Sequence, residues 1–300
     1  MTVRIRSFTD KDVSDIVNLL NEQRHGSYEF VPFTEGRMRS WIQEGRLKVL
    51  VAEEGSRFVG TAAYNDGHWG EEVEWLVVLG SQDRQATEET LVKEVEKYVT
   101  KKKVFTAVDE GSPLISDWVA RGYNPEGGLY HMVADLTDVK PMPKMPDHVI
   151  IRSLKQGEEA EFVEVVNAGF GWERLKQDVV QTWKAESPYF NEEWIHVAEF
   201  KGKIVSVVVA KQDDNYNKSF NGHRGYLGPA STLLEHRGKN LASALTQRAM
   251  NFLMNFLYQK GMNCVALYTQ EQNLPSVAML KKLSFKVGHR WVFMRKILSD

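Results

Sequence analysis

Apolar and polar positions along the second half of the chain follow two different periods, and the periods predict the elements. From Asn240 to Lys260, residues Leu245, Ala249, Phe252, Leu253, Phe256 and Leu257 fall on one face of a 3.6-residue repeat, which predicts a long helix closed by Gly261. Short apolar runs bounded by breakers predict strands over 149–154, 194–200, 204–212, 226–234, 264–269 and 288–297. Lys201-Gly202-Lys203 joins two of them as a hairpin turn. Helical spacing returns over 158–168, through Phe162, Val163, Val165 and Val166, and again over 274–283. Pro229 cannot donate to a sheet ladder, so its strand is expected to carry a bulge or form an edge there. Strands and helices alternate irregularly with hairpins among them. The expected class is therefore α+β, with a mixed, mainly antiparallel sheet flanked by helices, and not a doubly wound parallel sheet.

The same pattern is written twice. At an offset of 146, Arg6-Ser7 meets Arg152-Ser153, Ile16, Val17, Leu19, Leu20 and Asn21 meet Phe162, Val163, Val165, Val166 and Asn167, and Val51-Ala52-Glu53 meets Val197-Ala198-Glu199. Three separate matches in one register imply duplication of a unit of this length. Between the copies, Pro141, Pro143 and Pro146 prevent both helix and ladder, so 139–147 reads as a linker between domains at 1–138 and 148–300.

Composition narrows the function. With 38 basic and 40 acidic side chains the chain carries a formal charge of −2, which excludes a uniformly basic nucleic-acid binder. The charge is divided unevenly: 1–138 holds 16 basic and 24 acidic residues, a net of −8, and the remainder a net of +6. An anionic ligand is thus expected on the second copy. The single cysteine, Cys264, cannot form an intramolecular disulfide or a multi-cysteine zinc site, and the eight histidines lack ligand spacing, so no metal is expected. No signal-peptide core or apolar run of transmembrane length is present, which makes the cytoplasm the expected compartment and a membrane partner unexpected.

After the strand over 226–234 the sequence runs through Arg237, Gly238, Lys239, Asn240, Leu241, Ala242 and Ser243 into the long helix. A strand, a basic turn and a helix N-terminus converge amides and the positive end of a helix dipole on one point, an anion site. The glycine spacings of the phosphate-binding P-loop and of the dinucleotide fingerprint are absent. The turn resembles the pyrophosphate loop of the GNAT superfamily of acyl-CoA-dependent N-acyltransferases, Gln/Arg-x-x-Gly-x-Gly/Ala. Arg237, Leu241 and Ala242 fit it, and Asn240 stands at the first motif glycine. Asn273, followed twelve residues later by Phe285, has the spacing of the family's Asn-(x)10-Gly-Phe segment, with Ser284 in place of the glycine. The first copy resembles the family more faintly. Val73–Leu79 looks like the fourth strand, but Gly80 to Thr87 lacks the glycine-rich turn and carries Asp83. The whole is similar to two-domain members such as mycothiol synthase.

That resemblance implies two tandem GNAT-like domains, the first degenerate, the second binding acetyl-CoA and transferring its acetyl group by direct attack of an amine on a small molecule or peptide. It implies that main-chain amides at Ala230, Ser231 and Thr232 polarise the thioester, that Arg237–Ser243 cradle the pyrophosphate, and that Asn273 holds the pantetheine arm or the loop beneath it. The tyrosine that protonates the leaving thiolate in many members is replaced by Leu280. Tyr226 and Tyr268 are candidates for the role, although each also reads as a packed aromatic with a satisfied hydroxyl. An acceptor pocket is implied near Phe170, Trp172, Trp183, Tyr189, Phe190 and Trp194. The missing tyrosine and Asn240 also fit a different class, a binding module that holds acyl-CoA or a peptide without turnover.

Overall fold

The structure, a computed structural model, describes residues 3–45, 47–187, 189–255 and 261–298. The first copy runs β1 (Val3–Ser7), α1 (Val13–Arg24), α2 (Glu35–Gln43), β2 (Leu47–Glu54), β3 (Arg57–Gly67), β4 (Gly70–Val78), α3 (Arg84–Glu96), β5 (Lys103–Asp109), α4 (Leu114–Ala120) and β6 (Asn124–Asp135). The second runs β7 (Val149–Ser153), α5 (Glu159–Phe170), α6 (Val179–Glu186), β8 (Ile195–Phe200), β9 (Lys203–Gln212), α7 (Asp214–Phe220), β10 (Arg224–Thr232), α8 (Leu241–Asn255), β11 (Cys264–Gln270), α9 (Leu274–Lys282) and β12 (Lys286–Ile297). The last turns expected of the long helix, at Phe256 and Leu257, lie outside the described residues. Among the described residues no helix is long and apolar enough to cross a membrane.

Sheet register reproduces the 146-residue offset. β1 faces β2 with Val3 opposite Glu54 and Ser7 opposite Leu50, and β7 faces β8 with Val149 opposite Phe200 and Ser153 opposite His196. Each copy repeats the same irregularity, at Ala52/Glu53 and at Ala198/Glu199. The shared polar positions do the same work in both. Arg6 bonds Asp12 at 2.6 Å and Glu53 at 2.7 Å, and Arg152 bonds Glu158 at 2.7 Å and Glu199 at 2.8 Å. Asn21 clamps the backbone of Phe33, accepting its amide and donating to its carbonyl, and Asn167 clamps that of Leu175 in the same way while also accepting the Arg174 amide.

The polypeptide divides into compact units that differ from the expected domains: Met1–Leu129 with Arg290–Asp300, and Tyr130–His289. Strand order is β1-β2-β3-β4-β5-β12 in the first and β6-β11-β10-β9-β8-β7 in the second. Each unit therefore takes its final strand from the other copy. Trp291–Ile297 pairs antiparallel with Asp109–Lys103 in the first unit, and Leu136, just past β6, donates to Asn263 at 2.8 Å in the second. The physical reason is that a backbone ladder carries no identity: a terminal apolar strand satisfies either copy's fifth strand equally well. The proline-rich stretch over 139–147 is free of helix and strand, as expected, and is tied to α8 where Asn251 pairs with both backbone groups of Lys140.

Packing follows the exchange. In the first unit Val292 and Met294 of β12 join Leu91, Val95 and Tyr123 under α3, while α1 and α2 cover the opposite face through Ile16, Leu20 and Met38. In the second unit Met132 and Ala134 of β6 join the cluster formed by Phe162, Val207, Leu245 and Leu253. The polar run of α7 has no apolar period and is not predicted by one. It is held by Asp213, whose carboxylate caps the Tyr216 amide, and by Asn221 at φ +51°.

Candidate active site

The second unit opens where β10 and β11 part. β10 pairs with parallel β11 only from Arg224 to Tyr226, but continues along antiparallel β9 to Thr232. Its register against β9 shifts between Leu227 and Ala230, so Gly228 and Pro229 form the expected bulge, with Gly228 at φ +150°. Beyond the bulge Ala230 is exposed, Ser231 buried and Thr232 half-buried. The two hydroxyls are used internally. Ser231 donates to the carbonyl of Val165 at 3.2 Å, and Thr232 shares a 2.7 Å hydrogen bond with Ser206. What this segment presents along its diverging edge is main chain.

Past β10 the basic turn enters α8. Ala244 makes the first helical bond, to the Asn240 carbonyl, so the amides of Leu241, Ala242 and Ser243 precede the helix's own ladder. No acidic residue occupies the first turn of α8. Gly238 at φ +75° and Asn240 at φ +62° both adopt the left-handed region, so the asparagine keeps the conformation the motif glycine supplies. Ser284, at φ +71°, does the same for the second missing glycine. Arg237 spends its guanidinium on the protein: Nη2 donates to Gly169 at 2.7 Å and Nε to Thr232 at 3.2 Å, joining the end of α5 to the end of β10. Lys239 donates to the Glu235 carbonyl at 2.9 Å. The approach of α5 to β10 is close enough that a Cβ on Gly169 would stand 1.9 Å from the Ser231 hydroxyl.

The two tyrosines come together. Their rings lie 6.1 Å apart, Tyr226 on β10 and Tyr268 on β11, and Tyr268 is 40% exposed. Burial pushes the Tyr226 hydroxyl up to about 12, so it keeps its proton near neutrality. His131, fully buried, stacks 4.8 Å from Tyr268. Sequence reasoning missed this histidine because it lies on β6, a strand assigned to the first copy. Leu280 is only 2% exposed and belongs to the unit's core, so the family's tyrosine position holds an aliphatic packing residue. Asn273 caps α9 beyond β11 without a side-chain cap bond, and stands apart from the tyrosine pair along the chain.

The aromatic segment splits in two. Phe190 and Trp194 are core residues stacked 6.2 Å apart, with Trp183 beside Phe190. Phe170, Trp172 and Tyr189 stay exposed, and Arg174 sits over both Phe170 and Trp172. Beside the buried group Lys211 lies 3.4 Å from the Trp183 ring centre, and burial lowers its ammonium to about 8.

The chain is similar to known proteins in sequence and in fold. Residues 153–285 fit the profile described as the acetyltransferase (GNAT) family. A mycothiol acetyltransferase of Saccharomonospora viridis is 26% identical over 226 residues, 73% of this chain and 72% of that one. A tandem GNAT protein from the clavulanic acid biosynthesis pathway superposes over 100% of both chains at TM-score 0.66 and 16% identity. A GCN5-related N-acetyltransferase from Sphaerobacter thermophilus covers 98% of this chain and 95% of its own at TM-score 0.64 and 17% identity. Residues 153–285 thus match the GNAT acetyltransferase family, and the chain as a whole has the fold of a tandem GNAT protein.

Proposed function

We propose that the second unit moves an acetyl group from acetyl-CoA to the amine of a small molecule or peptide by direct attack. The observation that carries this reading is the convergence of two features on one strand: β10 diverges from β11 at Tyr226, and its far end delivers the uncommitted amides of the α8 N-terminus. The residues present fit the cosubstrate. Leu241, Ala242 and Ser243 offer amides to a pyrophosphate, the left-handed turns at Gly238 and Asn240 aim them, and the α8 dipole adds positive potential. Lys239 supplies further charge, and Arg237 fixes the loop through Gly169 and Thr232. Ala230, Ser231 and Thr232 contribute main chain for the thioester carbonyl, and Asn273 a side-chain amide for the pantetheine arm.

When bound, acetyl-CoA supplies an activated acyl carbon. An amine nitrogen bonds to that carbon, the carbon–sulfur bond breaks, and the nitrogen gives up a proton. In this reading Tyr226 or Tyr268 returns a proton to the departing sulfur, supported by their neighbouring rings and by burial that keeps the Tyr226 hydroxyl protonated. The test is transfer of labelled acetyl from acetyl-CoA to a panel of amines, with Tyr226→Phe and Tyr268→Phe alongside. Transfer by the parent chain and a lower kcat in one variant are expected. Tight acetyl-CoA binding with no transfer to any amine would replace this reading with that of a binding module.

A further inference from the structure

The first unit also has a cleft between its fourth and fifth strands. β4 and β5 pair only at Glu71 and Glu72, then part, and a register shift against β3 places Trp75 at φ +55° in the same bulge position as Gly228 and Pro229. The opening holds about 480 Å³. Its walls are aromatic. Trp75 meets Phe33 edge-on at 5.8 Å, Tyr28 meets Trp291 at 6.0 Å, and Trp118 lines the far side.

Its polar groups do not suit an anion. Five carboxylates line it against three guanidinium groups, and two of the latter, Arg84 and Arg121, are both bound to Glu88, at 2.7 and 2.6 Å. The loop above it has filled its own anion position with the carboxylate of Glu54, which accepts the Gln82 amide at 3.0 Å and the Ser81 hydroxyl at 2.6 Å. Glu72 and Glu74 sit two residues apart on one face of β4 and both line the cleft, with Asn65 donating to Glu74 at 3.1 Å.

We propose that this cleft binds a small organic cation, an ammonium carried on an aryl or alkyl body, with the charge at Glu72 and Glu74 and the body against Trp75 and Trp291. Burial and the neighbouring Glu74 hold the Glu72 carboxyl well above its ordinary range, with Arg24 and the Ala107 amide opposing. A cation beside Glu72 favours the charged form of that carboxyl. Aromatic walls add attraction for the same charge, as in sites that recognise ammonium groups. The proposal concerns the first unit alone and does not rest on transfer chemistry in the second.

The test uses the full chain and phenethylammonium chloride as probe, read by calorimetry and tryptophan fluorescence. One saturable site is expected, with 2-phenylethanol and 3-phenylpropionate weaker by about tenfold or more, the worth of one charge-assisted contact. The double variant Glu72→Gln, Glu74→Gln is expected to lose about the same factor for the ammonium while acetyl-CoA binding stays unchanged. Equal binding of the alcohol and the ammonium would overturn the proposal without any variant, and so would an affinity that survives loss of both carboxylates. Absence of saturable binding would overturn it as well.

Discussion

The loops that follow β4 and β10 begin from the same strand geometry and end as opposites. After β4, Ser81 and Gln82 turn inward onto the carboxylate of Glu54, and Asp83 caps the Ala86 amide at 3.0 Å. The Ser81 hydroxyl and the Gln82 amide in turn hold the Glu54 carboxyl below its ordinary range. At the equivalent position of the second copy stands Phe200, whose ring packs on His236 at 5.4 Å with the Lys201 ammonium over it. No carboxylate reaches the α8 N-terminus from that hairpin, and no acidic residue follows in its first turn. One side chain at a hairpin tip thus separates a loop satisfied by its own protein from one whose amides face outward. The duplication preserved the bulge and the splayed strands in both units, while the charge around them was divided.

The contrast breaks most visibly at Arg237. Arg237→Glu is expected to weaken coenzyme A binding by at least about a hundredfold, because a charge-assisted anchor becomes a like charge beside the pyrophosphate. Binding of pantetheine should suffer less, and the parent chain should titrate one coenzyme A in calorimetry. Two equal sites would show that the Glu54 loop does not exclude the nucleotide after all.

The next largest effect lies beneath the site. Gly169→Ala forces a methyl onto Ser231 and is expected to destabilise the second unit by about 1–3 kcal/mol in urea unfolding. Adding Ser231→Ala should recover most of that loss; no recovery would mean the strain lies in the backbone of α5.

Acid sharpens the comparison of the two arginine triads. The hydrogen bonds from Arg6 hold the Asp12 carboxyl down to about 2, against an ordinary 3.8. A depressed carboxylate contributes stability that is fully present above its ordinary value and is lost as pH falls toward 2, here on the order of 1–2 kcal/mol. Asp12→Asn should flatten that slope in acid unfolding, and an unchanged slope would assign it to other carboxylates. Glu158, its counterpart, is also held below its ordinary range by Arg152, so Glu158→Gln is expected to act in the same direction.

The smallest effect tests the two missing glycines. Asn240→Gly and Ser284→Gly remove the strain of a left-handed side chain but add chain entropy, for a net gain of about 0.5 kcal/mol each. Thermal melting should rise slightly. A fall would mean that the asparagine or serine side chain holds a bond worth more than the strain.

Much of the second unit was legible because its signals are local. Apolar period placed α5, β8, β9, β11 and α9, Pro229 announced the bulge, and the basic turn before Leu241 announced the amide-rich helix start. The internal repeat was legible for the same reason: Arg6 and Arg152, or Asn21 and Asn167, recur at one spacing and make the same bonds. Leu280 and Arg237 were legible as residue types but not in what they touch. A leucine at a tyrosine position reads as a lost acid, and only its neighbours show that it is core.

What the sequence determined by itself, then, was the α+β class, the duplication and the position of the basic turn that opens α8, since periodicity, spacing and backbone-conforming residues act over a few positions. Tertiary structure alone decided that β6 and β12 change places, that His131 reaches Tyr268, that Gly169 yields room to Ser231, and that Glu54 rather than a ligand satisfies the first unit's loop. The reason is physical. Ladder hydrogen bonds and long-range carboxylate contacts join groups scores of residues apart, and neither leaves a mark on the local pattern of the residues it joins.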